Sequence, residues 1–372
     1  MFRPDRRGNS RGEWMKFDVV TVTDLRFPGG SSGSTLEEIN IQHAAGLRTG
    51  LYHLPSTTLM RRRNFHPGIT RAILAGKAVL LNPEAGDVSG PIETDLLIYR
   101  HPSVINHHDG PLPRIAARSV LLVVNHPPIN SKGRIDYLLP YARTRLAEVY
   151  GVPVAVMPIG PVVRTAVARY YGAADVLSPT DWNNVFDLTR FRARTDPAPH
   201  DPIRIGRHSR PNREKWPEDP ADILGAYPDR PDIAVHVLGG TAIPEGHLGY
   251  RPANWVVHEF GTRAVEAFLH EIDVFVYFHH PRWVEAFGRV IAEGMATGAP
   301  TILPPHFEPL FGDGALYTQP AGVADIVERL RDPAYFAERS HAAASYVRRH
   351  FDAELHLRRL EGFGVVGARR AA

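Results

Sequence analysis

Two glutamates, Glu285 and Glu293, stand eight residues apart in the stretch 279–298, with Phe287, Gly288, Arg289 and Val290 between them. Carboxylates accept paired hydrogen bonds from vicinal hydroxyls, which sugar rings and ribose both present. Eight residues along a helix span about 12 Å, roughly the reach from a sugar ring across a diphosphate to a ribose. Phe287 to Val290 are expected to form the first helical turn, where N–H groups lack intrahelical partners and favour a phosphate. A second stretch is basic: Arg207, His208, Arg210, Arg213 and Lys215 follow Gly206. Such side chains neutralise a diphosphate and the charge on it as it leaves, although a solvated basic loop has the same composition. In the first half, His126 ends the apolar run 119–126, and Gly29, Gly30 and Ser31 lie in the polar loop 26–34. His101 follows the apolar run 95–99, where a structural role is the expectation.

These residues need elements to hold them. Short apolar runs of strand type lie at 17–23, 78–81, 95–99, 119–126, 154–157 and 174–178. Helical patterns lie between them, at 135–149 and 166–171, and from near Leu36 to about Gly50, with Ser34 or Thr35 as its cap. A second series of strands follows at 203–206, 233–239, 255–258, 274–278 and 300–303, and a final helical pattern covers 333–359. Alternating strands and helices argue for parallel α/β sheets, whose ligands sit beyond the carboxyl ends of the strands. The proline-rich stretch 194–202 is the expected boundary between two similar folds in tandem. The expected division is a disordered leader at 1–14, a first domain at 15–198, a second at 199–340, and a C-terminal helix at 341–372 returning to the first.

A chain of 372 residues makes two domains the default. A net charge of only +3 is no nucleic-acid signature, so no nucleic-acid partner is expected. Arginines cluster at Arg61, Arg62 and Arg63, at 207–213, and at Arg358 and Arg359. Solvated surface is the plain reading, with phosphate or an anionic membrane face or polymer as alternatives. No apolar run approaches the ~20 residues needed to span a bilayer, and the charged start lacks the apolar core of a signal peptide. The absence of cysteine removes disulfide and thiolate chemistry. A cytoplasmic location is expected, with peripheral contact at the inner face of a membrane as an option.

Taken together, Gly206-Arg207 with a following Lys215, Glu285-x7-Glu293 enclosing Phe287-Gly288, and the following Gly294-Met295-Ala296-x-Gly298-x-Pro300 resemble the donor half of retaining glycosyltransferases of the GT-B type, glycosyltransferase family 4 in particular. The resemblance covers 203–320, with a weaker match across the N-terminal half. It implies an α/β protein of two Rossmann-like domains facing a cleft. It also implies a retaining transfer of a sugar from a nucleotide-diphosphate sugar, UDP or GDP, to the hydroxyl of a glycan, lipid-linked or small-molecule acceptor. In that family pattern Glu285 contacts sugar hydroxyls and Glu293 the ribose, while the backbone of Phe287, Gly288, Arg289 and Val290 holds sugar and diphosphate. Arg207 and Lys215 bind phosphate, His126 acts at the reacting centre, and Gly29, Gly30 and Ser31 form a glycine loop near phosphate and acceptor. No enzymatic nucleophile is implied: the acceptor attacks on the leaving-group face, assisted by the leaving phosphate. The nucleotide sugar is a co-substrate, and with no Asp-x-Asp present no metal or cofactor is expected.

One departure concerns the phosphate site. The family places lysine about five residues after the arginine, whereas Lys215 is eight after Arg207. Either the loop carries an insertion or Arg210, five before Lys215, takes the arginine's place. Base, sugar, acceptor, linkage and oligomeric state stay open. Rival readings are a nucleotide-sugar epimerase or phosphorylase on the same fold, or a degenerate non-catalytic binding module. Gly29-Gly30-Ser31-Ser32-Gly33 formally matches a hydrolase nucleophile elbow, but it follows the first strand with no sheet before it. The paired histidines His107-His108 and His279-His280 lack the spacing of a helical zinc site.

Overall fold

Runs of Val, Ile and Leu that are apolar on both faces become parallel strands in the computed structural model, which describes residues 14–59, 61, 64–82, 90–130, 132–172, 176–195, 197–365 and 367. The chain forms two units, Met1–Phe186 with Ala353–Ala372, and Asp187–Asp352.

Unit 1 contains β1 Met15–Thr23, α1 Gly30–Ala44, β2 Thr49–His53, α2 Pro67–Leu74, β3 Val79–Leu80, β4 Ile92–Arg100, α3 Pro102–Asn106, β5 Ile115–Val124, α4 Leu139–Tyr150, β6 Val154–Pro158 and α5 Pro161–Tyr171. All six strands are parallel, in the order β3-β2-β1-β4-β5-β6. The central strands bury Val19, Val20, Val22, Leu96, Leu97 and Ile98 completely, as expected of strands covered on both faces by helices.

Unit 2 contains β7 Ile203–His208, α6 Pro220–Ala226, β8 Ile233–Leu238, α7 Ala242–Leu248, β9 Trp255–His258, α8 Val265–Glu271, β10 Val274–Val276, α9 Arg289–Ala296, β11 Thr301–Leu303, α10 Glu308–Phe311, β12 Leu316–Tyr317, α11 Val323–Arg329 and α12 Pro333–Phe351. Its parallel sheet runs β12-β11-β10-β7-β8-β9. Within each unit this is one doubly wound order. The first strand leads outward to one side and the fourth to the other, so a crevice opens between their carboxyl ends. That switch point lies between β1 and β4 in unit 1, and between β7 and β10 in unit 2.

Several boundaries differ from the sequence-based expectation. Helix α1 starts at Gly30, six residues before Leu36. Ser34 Oγ and Thr35 Oγ1 do not cap it; they donate back to the carbonyls of Gly30 and Ser31 at 3.0 and 3.1 Å. The helix stops at Ala44, and Thr49–His53 is a strand paired with β1. Residues 135–138 are not helical, because Ile135 bridges Ile129 and Pro140 stands in the first turn of α4. Of the expected strand at 174–178, residues 174 and 175 lie outside the described residues. Ser178 is not in a strand, although its N–H donates to Val156 O. The final helical pattern breaks at Asp352, which is extended (φ −68°, ψ 155°), so α12 stays with unit 2 and α13 Ala353–Gly362 belongs to unit 1. The unit boundary falls at Phe186, before the proline-rich stretch. Arg194 donates to Leu269 O at 2.9 Å, and the His200 N–H to Asp273 Oδ2 at 3.1 Å, binding that stretch to unit 2. The expected leader, apart from Trp14, lies outside the described residues, as do Arg62 and Arg63.

Candidate functional site

In unit 2 the two loops at the switch point meet through named side chains. The loop after β7 ends in a single turn, Arg213–Lys215, and the loop after β10 carries Tyr277 to Gly288. Lys215 Nζ forms an ion pair with Glu285 Oε2, which also accepts from the Tyr277 hydroxyl at 3.0 Å. Burial by itself would raise the Glu285 carboxyl, but the charge and hydrogen bond of Lys215 outweigh it and hold the group below the usual carboxylate range. Burial and the neighbouring Glu285 push the Tyr277 phenol well up, so it stays a donor. The Lys215 ammonium also lies 5.2 Å from the centre of the Trp283 ring, a cation–π distance.

What sets this pair in place is Arg207. Its side chain is wholly buried and lies 3.8 Å over the Trp216 ring. It donates to Lys215 O at 2.5 Å, Tyr227 Oη at 2.9 Å, Phe278 O at 3.1 Å and Ser209 Oγ at 3.3 Å. One guanidinium thus ties the carbonyl of Lys215, in the β7 loop, to that of Phe278, in the β10 loop. Arg207 was expected to bind phosphate; in this structure both its terminal nitrogens are taken by these protein groups, and only Nε lacks a partner among the described residues. Arg210 is exposed in the loop after β7, and of the two arginines left open it is the one that solvent can reach. Gly206 belongs to the same packing, since a Cβ there would lie 2.4 Å from Ile272 Cγ2.

Glu285 is not on a helix. Helix α9 begins at Arg289, after Gly288, which takes a left-handed conformation (φ 75°, ψ 54°). The expected turn from Phe287 is therefore displaced by two residues, and the 12 Å span along a single helix does not describe the two glutamates. Phe287 is an anchor: it is buried and packs against Phe351 and Phe311, with ring centres 5.1 and 6.4 Å apart. Arg289 and Val290 are partly exposed in the first turn. Glu293, on α9, accepts from Arg289 Nε at 2.8 Å. His208 Nε2, at the end of β7, lies 3.4 Å from Glu293 Oε2 without hydrogen-bond geometry. Burial holds His208 below its usual range, with Glu293 opposing. His279, in the loop after β10, shares a 3.1 Å nitrogen-to-nitrogen contact with His306 and is pushed down by burial to about 4. One ring of such a pair donates and the other accepts, so the accepting ring is neutral.

Unit 1 has its own cluster at the corresponding switch point. Gly29 precedes α1 with φ 74° and ψ −134°, a conformation for which glycine is suited. Gly30 and Ser31 form the first turn, not a loose loop. Asp24 braces the approach: it accepts from Arg26 N and Nε at 3.0 and 2.8 Å and from Ser56 N at 2.9 Å. After β4, His101 is the one non-glycine residue among those described with positive φ, at 66°. Its buried ring lies against Phe27 (centres 4.4 Å apart) and His126 (5.6 Å), and neither ring nitrogen has a hydrogen-bond partner among the described residues. Burial, then the charges of His126 and Arg100, hold it well below the usual histidine range. His126, after β5, meets Tyr137 edge-on at 5.1 Å and has Nε2 3.6 Å from Asp136 Oδ2. Burial lowers it and Asp136 partly opposes. Phe27 and His101 thereby connect the glycine turn to His126. The sequence-based reading missed Arg207 as a brace, Tyr277 and Asp24, and it assigned His101 to structure; strand-end position in each half was the available signal.

Among the described residues no three His, Cys, Asp or Glu side chains gather in a metal-holding group, and no helix is long and apolar enough to cross a membrane.

No family model matches the chain, and no curated protein matches it by sequence. Solved structures do match in fold. Anabaena HepE in complex with UDP and glucose is similar at a TM-score of 0.62 and 13% identity, over 93% of this chain and 98% of that one. A glycosyltransferase from Rickettsia africae ESF-5 gives 0.62 and 15%, over 94% and 99%. Sucrose-phosphate synthase from Thermosynechococcus elongatus gives 0.57 and 14%, over 94% and 98%. At these identities the likeness concerns the fold: two six-stranded Rossmann-like units, the GT-B fold of these glycosyltransferases, account for nearly the whole chain.

Proposed function

We propose that this protein is a glycosyltransferase that moves a sugar from a nucleotide-diphosphate sugar to an acceptor hydroxyl. The carrying observation is the charged cluster Lys215–Glu285–Tyr277 at the switch point of unit 2, with Glu293 on the adjoining helix. A lysine and a carboxylate held together at a strand-end crevice offer one group for phosphate and one for sugar hydroxyls. The likeness to HepE, solved with UDP and glucose, supports a UDP-sugar as donor. Lys215 and the exposed Arg210 meet the diphosphate charge beside the N-terminus of α9, Glu285 takes sugar hydroxyls, and Glu293 takes the ribose. Unit 1 receives the acceptor, with His126 hydrogen-bonding the reacting hydroxyl.

In the transfer the acceptor oxygen bonds to the anomeric carbon as the bond from that carbon to the diphosphate breaks. The acceptor proton passes to the leaving phosphate, giving a glycoside and a nucleoside diphosphate. Protein groups position the reactants and stabilise charge. The resemblance of the segment 285–300 to retaining enzymes supports retention, which the anomeric coupling constant of the product tests. Metal independence is part of this reading, and turnover should survive EDTA. A thermal-shift panel of nucleotide sugars, with free nucleotides as controls, tests the donor: the preferred one raises the melting temperature by mass action. No stabilisation by any nucleotide sugar, or stabilisation without transfer of label to any acceptor, would defeat the reading.

A further inference from the structure

Residues 128–130 and 132–141 belong to a knuckle that the proposed transfer does not use. Ile129 and Ile135 pair across an isolated antiparallel bridge, and residues directly opposed in this way place their side chains on one face. Hydrogen bonds hold the knuckle. Asn130 Oδ1 accepts from the N–H groups of Lys132 and Arg134 at 2.9 and 3.1 Å, and Asn130 Nδ2 donates to Asp136 Oδ1 at 2.7 Å. Its foot is fixed where the Leu138 N–H donates to Asn106 Oδ1 at 2.9 Å. While Tyr137 and Leu139 are buried, the knuckle leaves four apolar side chains outside: Ile129 is 37% exposed, Ile135 54%, Leu138 49% and Tyr141 50%. Leu138 and Tyr141, three apart where α4 begins, share a helix face. At the tip Lys132 and Arg134 are exposed and make no ion pair among the described residues. Asp136, the nearest acid in sequence, is turned to Asn130 and His126.

We propose that this knuckle docks on an anionic lipid surface, with Ile129 and Ile135 inserted at the headgroup boundary and Lys132 and Arg134 on the headgroups. Apolar side chains beside unneutralised cations match such a surface in both respects. A second copy of the chain suits it poorly, because a two-fold contact sets each patch against itself and brings like charges together.

Vesicle flotation of the full chain tests this, comparing phosphatidylcholine vesicles with and without about 30% phosphatidylglycerol at roughly 100 mM salt. The chain should float with the anionic vesicles and far less with the neutral ones. Lys132→Ser and Arg134→Ser should each lower partitioning about fivefold. Ile129→Asp with Ile135→Asp should abolish it, while Leu74→Asp, at a leucine 81% exposed on α2, should leave it unchanged. Because the substituted side chains are exposed, melting curves should match the unsubstituted chain. Absence of flotation, or equal flotation of all variants, overturns the proposal. So does a dimer, seen by light scattering, that Ile135→Asp disperses, which would give the face to a second copy. The readout uses no nucleotide and no turnover, so it stands or falls separately from the glycosyl-transfer reading.

Discussion

Arg207 carries the most consequence of any single side chain in unit 2. Its guanidinium satisfies two main-chain carbonyls and packs on Trp216, so removing it strands buried acceptors as well as a cation–π contact. Arg207→Met should lower stability by about 3 kcal/mol, the cost of leaving buried carbonyls unsatisfied, read as a fall in urea midpoint. Arg207→Lys should not restore it, because a lysine lacks the planar fork that bridges both carbonyls. A midpoint within error of the unsubstituted chain would remove Arg207 from this role. Glu293 belongs to the proposed donor site. Glu293→Ala should weaken nucleotide-sugar binding about tenfold or more, the worth of a hydrogen bond to a charged group, and unchanged affinity by calorimetry would sink that assignment. Residue types were readable beforehand: carboxylates, a lysine and a histidine at strand ends. Their partners were not. Lys215 and Glu285 are seventy residues apart, and only folding determines that one neutralises the other.

At the scale of elements, the close fit of β7 against its neighbours explains why glycine precedes Arg207. A methyl group at Gly206 would enter the Ile272 side chain, and overpacking of a core usually costs 1–3 kcal/mol. Gly206→Ala should therefore cost about 2 kcal/mol by chemical denaturation and displace Arg207 with it; a neutral effect would show that Ile272 yields freely. Strands with long apolar runs, such as β1, β4 and β5, were evident from composition alone. The short β2, Thr49–His53, was not, because the helix pattern runs on to Gly50, past Gly46, whose left-handed φ of 73° and N–H bond to His43 O close α1. The start of α1 was misplaced for the opposite reason. Ser34 and Thr35 suit a cap, but their hydroxyls bond back within a helix that has already begun.

For the whole molecule, two buried histidines make stability depend on pH. Burial pushes His279 in unit 2 and His356 in unit 1 down to about 4. His356 Nε2 lies 3.0 Å from the Gln42 side-chain nitrogen, whose N–H₂ can only donate, so the ring accepts there and is neutral. A group with a depressed folded pKa binds protons more readily when unfolded. Its contribution is present above the unfolded value near 6.5 and is lost as pH falls toward 4. Each site should contribute about 3 kcal/mol across that window, so the urea midpoint should fall steeply on acidification. His356→Gln keeps an acceptor for Gln42 without a titrating ring and should flatten the slope. An unaltered slope would place the acid sensitivity elsewhere. His356 lies on α13, and the same helix sends Arg359 Nη1 to Asn183 O at 2.8 Å, so acid should weaken the packing of α13 within unit 1.

By itself the sequence determined that the chain alternates strand and helix in two series, that both series are parallel sheets, and which strand ends carry chemically able side chains. Those properties follow from local patterning, because a strand buried on both faces must be apolar throughout and its polar residues collect where it ends. Only the tertiary structure decided that Arg207 is a brace, that Lys215 meets Glu285, that Glu285 stands off the helix, and that the chain crosses back to unit 1 at Ala353. Each depends on contacts between segments far apart in sequence, where burial settles whether a charge is spent on the protein or left for a ligand.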